Sequence, residues 1–182
     1  GPVLIDIAKD VQFAEIDFSY EKCTKIRSYV PTRPLDMAQI DAAAEAINQA
    51  KKPFILVGHG VIISKAEKEL VELIEKDNIP AAWTLLGNSA LPSNHPLNMG
   101  MLGMHGHYGP NIKTNDCDLL IAVGMRFDDR VTGRVSSYAK QAKVIHIEID
   151  PAEIDKIIHA DFPVLGDAKK VLNALLPKVN KA

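Results

Sequence analysis

Cysteine is scarce in this chain. Its 182 residues include two, Cys23 and Cys117, far apart and without C-x-x-C spacing. That excludes a disulfide framework and a four-cysteine zinc site, and it fits a reducing, cytoplasmic setting. Excess positive charge is also missing. Lys and Arg total 21 against 23 Asp and Glu, a formal net charge of -2, which argues against a nucleic-acid partner. No apolar run reaches the length of a membrane span, so the sequence reads as soluble, with no membrane partner. There is no basic n-region or signal-like core, no G-x-S-x-G elbow for Ser-His-Asp hydrolysis, and no internal repeat or low-complexity tract. What remains is ordinary globular composition, 47% hydrophobic and 24% charged, in a chain long enough to bury a core without staples.

The chain opens GPVLIDIAKD, without an initiator Met. Val3 to Ile7 reads as a buried strand that starts almost without a lead-in. The chain therefore reads as a domain excised from a longer protein, with a tag scar before a native start as the alternative. Residues 8–35 carry breakers (Asp10, Asp17, Ser19, Ser28, Pro31, Pro34) and read as a linker. The expected division is residues 1–35 as strand and linker from a preceding domain, and 36–182 as the main domain.

From Asp36 the pattern alternates. Asp36 and Gln39 have capping-box spacing, ahead of a helical stripe of Ile40, Ala43, Ala44 and Ile47. Phe54 to Val57 is a short apolar strand ending at Gly58. Ser64 and Glu67 predict a second capped helix, with Leu70, Leu73 and Ile74 on one face. Ala81 to Leu85 reads as a weak strand, 86–109 as a Gly-rich loop, and Gly109 to Asn115 as a short helix. Leu119 to Val123 is the clearest buried strand, 125–140 is polar and basic, and Val144 to Ile149 is another strand. Asp167 caps a last helix with stripe Ala168, Val171, Leu172, Leu175 and Leu176. Apolar strands alternating with helices predict an α/β fold. We expect a Rossmann-like, doubly wound, mostly parallel sheet of about six strands with helices on both faces.

Ligands of such sheets bind beyond the carboxyl ends of the strands. The unusual residues of this sequence fall there. Gly58-His59-Gly60 is half of a dinucleotide fingerprint without the third glycine. It is either a close approach to a phosphate or a tight strand-to-helix turn. Leu102-Gly103-Met104-His105-Gly106 is either a loop flanking a flat ring or an ordinary surface loop. Arg126, Asp128, Asp129 and Arg130 follow a buried strand. They read as a pyrophosphate clamp or as a solvated charge cluster. Glu148 and Asp150 end the next strand, where a carboxylate commonly takes a ribose hydroxyl. His105 and His107 could chelate a metal with His59, but no Cys or carboxylate spacing supports a zinc motif, and no metal site is expected.

The segments GPVLIDIAKDVQ, KKPFILVGHGVI, WTLLGNSALPSNHPLNMGMLGMHG, AVGMRFDDRVTG, HIEIDPAEIDK and VLGDAKKVL follow one another in order. Together they resemble the middle domain of acetolactate synthase (acetohydroxyacid synthase) catalytic subunits, over nearly the whole chain. The resemblance implies a Rossmann-like domain holding FAD, in a transferase that also uses thiamine diphosphate and Mg2+. Such enzymes join two pyruvates, or pyruvate and 2-oxobutyrate, in branched-chain amino-acid biosynthesis, and the flavin does no net redox chemistry.

Residue by residue, the resemblance implies that Gly58, His59 and Gly60 approach the ribityl-pyrophosphate. Thr84, Leu85 and Leu102, Gly103, Met104, His105, Gly106 would line the flavin. Gly124, Arg126, Asp128, Arg130 and Val131 would bracket phosphates and adenosine. Glu148, Ile149, Gly166, Asp167 and Ala168 would hold the adenosine end. His59 stands where the family more often has glycine, and Glu148 where it often has Asp. The GDG…N metal motif and the activating glutamate of the outer domains are not in this chain, so no catalytic residue is assigned to it. The resemblance also implies other domains, a homo-oligomer and a regulatory subunit as partners. Two alternatives stay open: the middle domain of a related thiamine-diphosphate enzyme binding ADP or no cofactor, and an NAD-dependent deacylase of similar fold.

Overall fold

A computed structural model describes residues 2–24 and 34–181. The chain divides into two units, Gly1–Pro31 and Thr32–Ala182. In the first, Val3, Leu4 and Ile5 are 75–93% exposed and form no strand; the only regular element described is a single 3-10 turn, Val11–Phe13. The strand expected over Val3 to Ile7 is therefore corrected. An extended segment becomes a strand only with a ladder partner, and the described residues supply none.

The second unit holds a six-stranded sheet. Helix α1 (Met37–Gln49) starts at Asp36, whose carboxylate accepts from Ala38 N at 2.9 Å. Gln39 does not complete a capping box. Its Oε1 accepts instead from Leu165 N, tying α1 to the sheet. Strand β1 (Pro53–Val57) leads into α2 (His59–Ile63) and α3 (Glu67–Lys76). Ser64 was expected to open α3 but closes α2: its amide donates to Gly60 O and its hydroxyl to Val61 O. Strand β2 (Ala81–Trp83) stops short of Leu85, where a 3-10 turn begins.

Within the stretch read as loop lies β3 (Asn98–Met101), an edge strand of partly exposed residues. Helix α4 (Tyr108–Thr114) falls one residue before its expected place. Strand β4 (Leu119–Val123), the short helix α5 (Asp129–Thr132) and strand β5 (Lys143–Glu148) follow. A second unforeseen strand, β6 (Phe162–Leu165), precedes α6 (Ala168–Leu175), which Asp167 caps through Lys170 N.

The strand order is β3-β2-β1-β4-β5-β6 and every pair is parallel. Alternate residues serve opposite faces. Ile55, Val57, Ile121, Val123, Ile145 and Ile147 join α1, α3 and α6 in one apolar cluster. Phe54, Leu56, Leu120, Ala122 and Val144 join a second, under residues 125–142 and Cys117. Among the described residues no helix is long and apolar enough to cross a membrane.

Candidate functional site at the strand crossover

The chain turns one way after β1 and the other way after β4, so the crevice of this sheet lies above these neighbours. Three glycines make the crossing. Gly58 N donates to Val123 O and Gly60 N to Gly124 O, at 2.9 and 2.8 Å. A Cβ on Gly58 would collide with Gly124 O and Met125 Cβ, and one on Gly60 would meet Gly124 Cα at 2.7 Å. Gly124 has φ +58, a conformation that disfavours other residues. The geometry thus shows the tight turn at Gly58 and Gly60, with both amides committed to the protein. His59 begins α2 and is not among the described residues of positive φ, so it fits the turn without backbone strain.

Beyond the crossing opens a cleft of about 510 Å³. Its lining includes His59, Thr84, Leu85, Gly124, Arg126, Asp128, Arg130, Val131 and Glu148, nine of the residues singled out from the sequence. Arg126 Nε lies 3.3 Å from Asp128 Oδ2, and its side chain is 68% exposed. Asp128 also caps α5 by accepting from Arg130 N at 3.1 Å. One carboxylate therefore orients one arginine and starts the helix that carries the other. On the far side Glu148 Oε1 accepts from Ile149 N and Asp150 N, at 2.8 and 3.2 Å. The cleft has a cationic wall, an acidic wall and exposed apolar side chains, Leu85 and Leu86, at its mouth.

The Gly-rich segment 102–106 is not structureless. Met104 N donates to Arg130 O at 2.8 Å and Gly106 N to Gly103 O at 2.9 Å. Asn111 grips Gly103 from both sides, accepting from its amide and donating to its carbonyl. Met104 Sδ lies 4.0 Å from Arg130 Nη1, next to the cleft wall. Gly103 and Met104 line a separate hollow of about 230 Å³ with Tyr138. Leu102 is buried in the second cluster. His107 Nδ1 accepts from Met101 N, and among the described residues no group of three or more His, Cys, Asp or Glu could hold a metal.

Other expected residues lie outside the cleft lining. Asp167 is engaged as the α6 cap and Ala168 is buried. Gly166 N donates to Glu148 O at 2.8 Å, which sets this trio one strand beyond the acidic wall. Ile149 is 62% exposed beside Glu148. Gly58, Gly60, His105 and Gly106 are not lining residues either. Conversely, Leu86, Met125 and Glu153 line the cleft and were not singled out as binding residues, while Asp150, read with Glu148 as a strand-end carboxylate, lines it as well. Their shared signal is position, each one to five residues past a strand end. Volume alone does not choose this site. A larger hollow, about 610 Å³, lies between α3 and residues 88–93, away from the crossover.

The sequence profile of the thiamine pyrophosphate enzyme central domain matches residues 40–175. The chain belongs to this family. This central domain is 49% identical to a probable acetolactate synthase large subunit of Methanocaldococcus jannaschii over 179 residues, 97% of this chain and 30% of the relative. It is 47% identical to the acetolactate synthase large subunit of Corynebacterium glutamicum over 184 residues, 100% of this chain and 29% of the relative. With the acetolactate synthase large subunit of Buchnera aphidicola the identity is 40% over 183 residues, 100% and 32% of the two chains. The central domain thus spans about three tenths of the length of these relatives.

Proposed function

We propose that this chain is the FAD-holding central domain of an acetolactate synthase large subunit. The whole protein would condense two pyruvates, or pyruvate and 2-oxobutyrate, with thiamine diphosphate and Mg2+ held by other domains. A homo-oligomer, a regulatory subunit and the cytoplasm complete this reading. The observation that carries it is the two-walled cleft at the β1/β4 crossover, with Arg126 and Arg130 on one side and Glu148 on the other. Similarity to named acetolactate synthases supports it. Membership of the thiamine pyrophosphate family displaces the deacylase alternative.

The donor set suits a dinucleotide. Guanidinium forks pair with phosphate oxygens, and a carboxylate at the end of β5 suits ribose hydroxyls. A volume of about 510 Å³ falls within the usual range of small-molecule clefts, about 300–1,000 Å³. Arg126 and Arg130 would hold the phosphates, with Asp128 orienting Arg126. Glu148, then Ile149, would run along the adenosine. Leu85, Met104, His105 and Val131 would flank the flavin, above a floor kept low by Gly58, Gly60 and Gly124. In this reading FAD supplies no net redox chemistry, and the residues of this chain bind and orient it without moving a proton.

Titrating the 182-residue chain with FAD, ADP, FMN and NAD tests the reading. FAD and ADP should each raise the stability, by about 2.7 kcal/mol at a hundred times the dissociation constant. FMN, lacking the adenosine, should bind poorly. ADP binding with no binding of FAD points to the central domain of a related enzyme. Stabilisation by neither rejects the proposal.

A further inference from the structure

His146 lies in β5, fully buried, between Ala122 of β4 and Pro163 of β6. Around it is the second apolar cluster, and the Phe127 ring packs edge-on at 5.0 Å. A polar ring in such a place is costly unless its N–H finds an acceptor. Nε2 lies 2.8 Å from the Met125 carbonyl. A carbonyl only accepts, so Nε2 carries a proton and is the donor. Nδ1 is buried with no partner among the described residues. Filling space does not explain this choice, since leucine would fill the site without an unsatisfied nitrogen.

The explanation lies in the segment it holds. The chain leaves β4 at Gly124 and is irregular until α5 begins at Asp129. Met125 is anchored on the imidazole through its carbonyl, and Phe127 through its ring. Arg126 stands between them and turns out to the cleft. We propose that His146 is a positioning residue, holding the backbone on both sides of Arg126 so that its guanidinium meets the ligand already oriented. The inference rests on the cleft being the dinucleotide site.

The test compares His146→Leu, which fills the space without a donor, with His146→Gln, whose side-chain nitrogen has a reach similar to Nε2. Each variant of the 182-residue chain is read by ADP affinity, by amide exchange over Met125–Asp128, and by melting temperature. His146→Leu should stay folded, bind ADP roughly three- to tenfold more weakly, the net scale of one hydrogen bond, and exchange faster. His146→Gln should recover affinity and protection even with a lower melting temperature. A purely space-filling histidine gives the opposite order, with Leu matching wild type and Gln worst, and that result overturns the proposal. If the unsubstituted chain binds neither ADP nor FAD, the cleft reading fails by itself. The exchange data still decide His146, because unchanged protection in His146→Leu rejects it. If His146→Leu does not fold, 15N shifts of the wild-type ring decide, and an Nε2 without a proton sinks the idea.

Discussion

On one face of the sheet, Ile55, Ile121, Ile145 and their neighbours meet α1, α3 and α6, and every buried member of that cluster is aliphatic. On the other face the same strands turn Phe54, Leu120 and Val144 toward a cover made of short turns, with Cys117, Met125, Phe127 and Tyr138 among the contacts. Polar atoms are buried there too, including His146 Nδ1 and the Tyr138 hydroxyl, neither with a partner among the described residues. Burial pushes the Tyr138 phenol up, and pushes the Cys117 thiol up to about 12. The comparison separates two tasks. The aliphatic face holds the larger cluster of buried side chains, and the mixed face packs against the segment that leaves β4 for the cleft.

Neighbouring residues of one strand can break that comparison. Ile121 points to the aliphatic face and Leu120 to the mixed one, both fully buried. Truncation to Ala at such sites costs about 2–5 kcal/mol, less where the surroundings can collapse. Ile121→Ala should fall near the upper end, because helices hold its pocket open. Leu120→Ala should fall near the lower end, under irregular cover. Denaturant unfolding of both variants measures the difference, and equal costs would erase the distinction between the faces.

The crossing glycines sharpen it next. Gly124 and Gly133 have nearly the same φ, +58 and +56, but a Cβ on Gly124 would meet Gly60 Cα at 2.7 Å while one on Gly133 meets nothing within 4 Å. Gly133→Ala should cost only the conformational strain, of order 1–3 kcal/mol. Gly124→Ala should cost more and also weaken ADP binding, because β1 and β4 must part at the cleft floor. Unfolding and ADP titration of the pair test this, and equal losses would show that the crossing is not tight.

Much of this architecture was legible from residue order. Phe54 to Val57 and Leu119 to Val123 are continuous apolar runs, and in the structure they are the two central strands. Strands β3 and β6 were missed for a physical reason. Both lie at sheet edges, NMGM has no apolar run, and FPVL contains a proline that a central strand would not tolerate. The cleft was readable wherever a residue sits at or just past a strand end, as with Glu148 and Arg126. What Gly58 and Gly60 do was not, because whether an amide faces a ligand or Val123 O depends on the partner strand. Nor was the grip of Asn111 on Gly103, which made an apparent open loop into a fixed turn.

Binding and stability should separate at Arg126. Its pair with Asp128 is largely exposed, a type worth about 0–1 kcal/mol to folding. Its contact with an anionic ligand would be a charge-assisted hydrogen bond, worth about 1.5–3 kcal/mol. Arg126→Ala should therefore weaken ADP and FAD by that larger amount and barely move the melting temperature. Calorimetry with unchanged affinity would return Arg126 to a solvated charge cluster.

The smallest expected effect lies between β5 and β6, on the connection that places Ile158 against the mixed face. Asp155 has φ +58 and holds that turn with one oxygen, accepting from Ala160 N at 2.8 Å and facing His159 Nδ1 at 3.0 Å. The Ala160 amide holds its carboxyl below the ordinary value against a smaller opposing push from desolvation, and the His159 ring adds a lesser downward pull. A carboxylate lowered by folding stabilises the protein above its unfolded value, about 3.9, and the contribution is lost as pH falls through the folded value. Asp155→Asn keeps an acceptor oxygen but cannot titrate. Wild type should thus melt slightly higher than Asp155→Asn near neutral pH, and the gap should close between about pH 4 and the acid limit of folding. Melting curves of both proteins at a series of pH values give the answer. A gap that stays constant down to the acid limit would mean that the turn is held by its shape, with the charge of Asp155 contributing nothing.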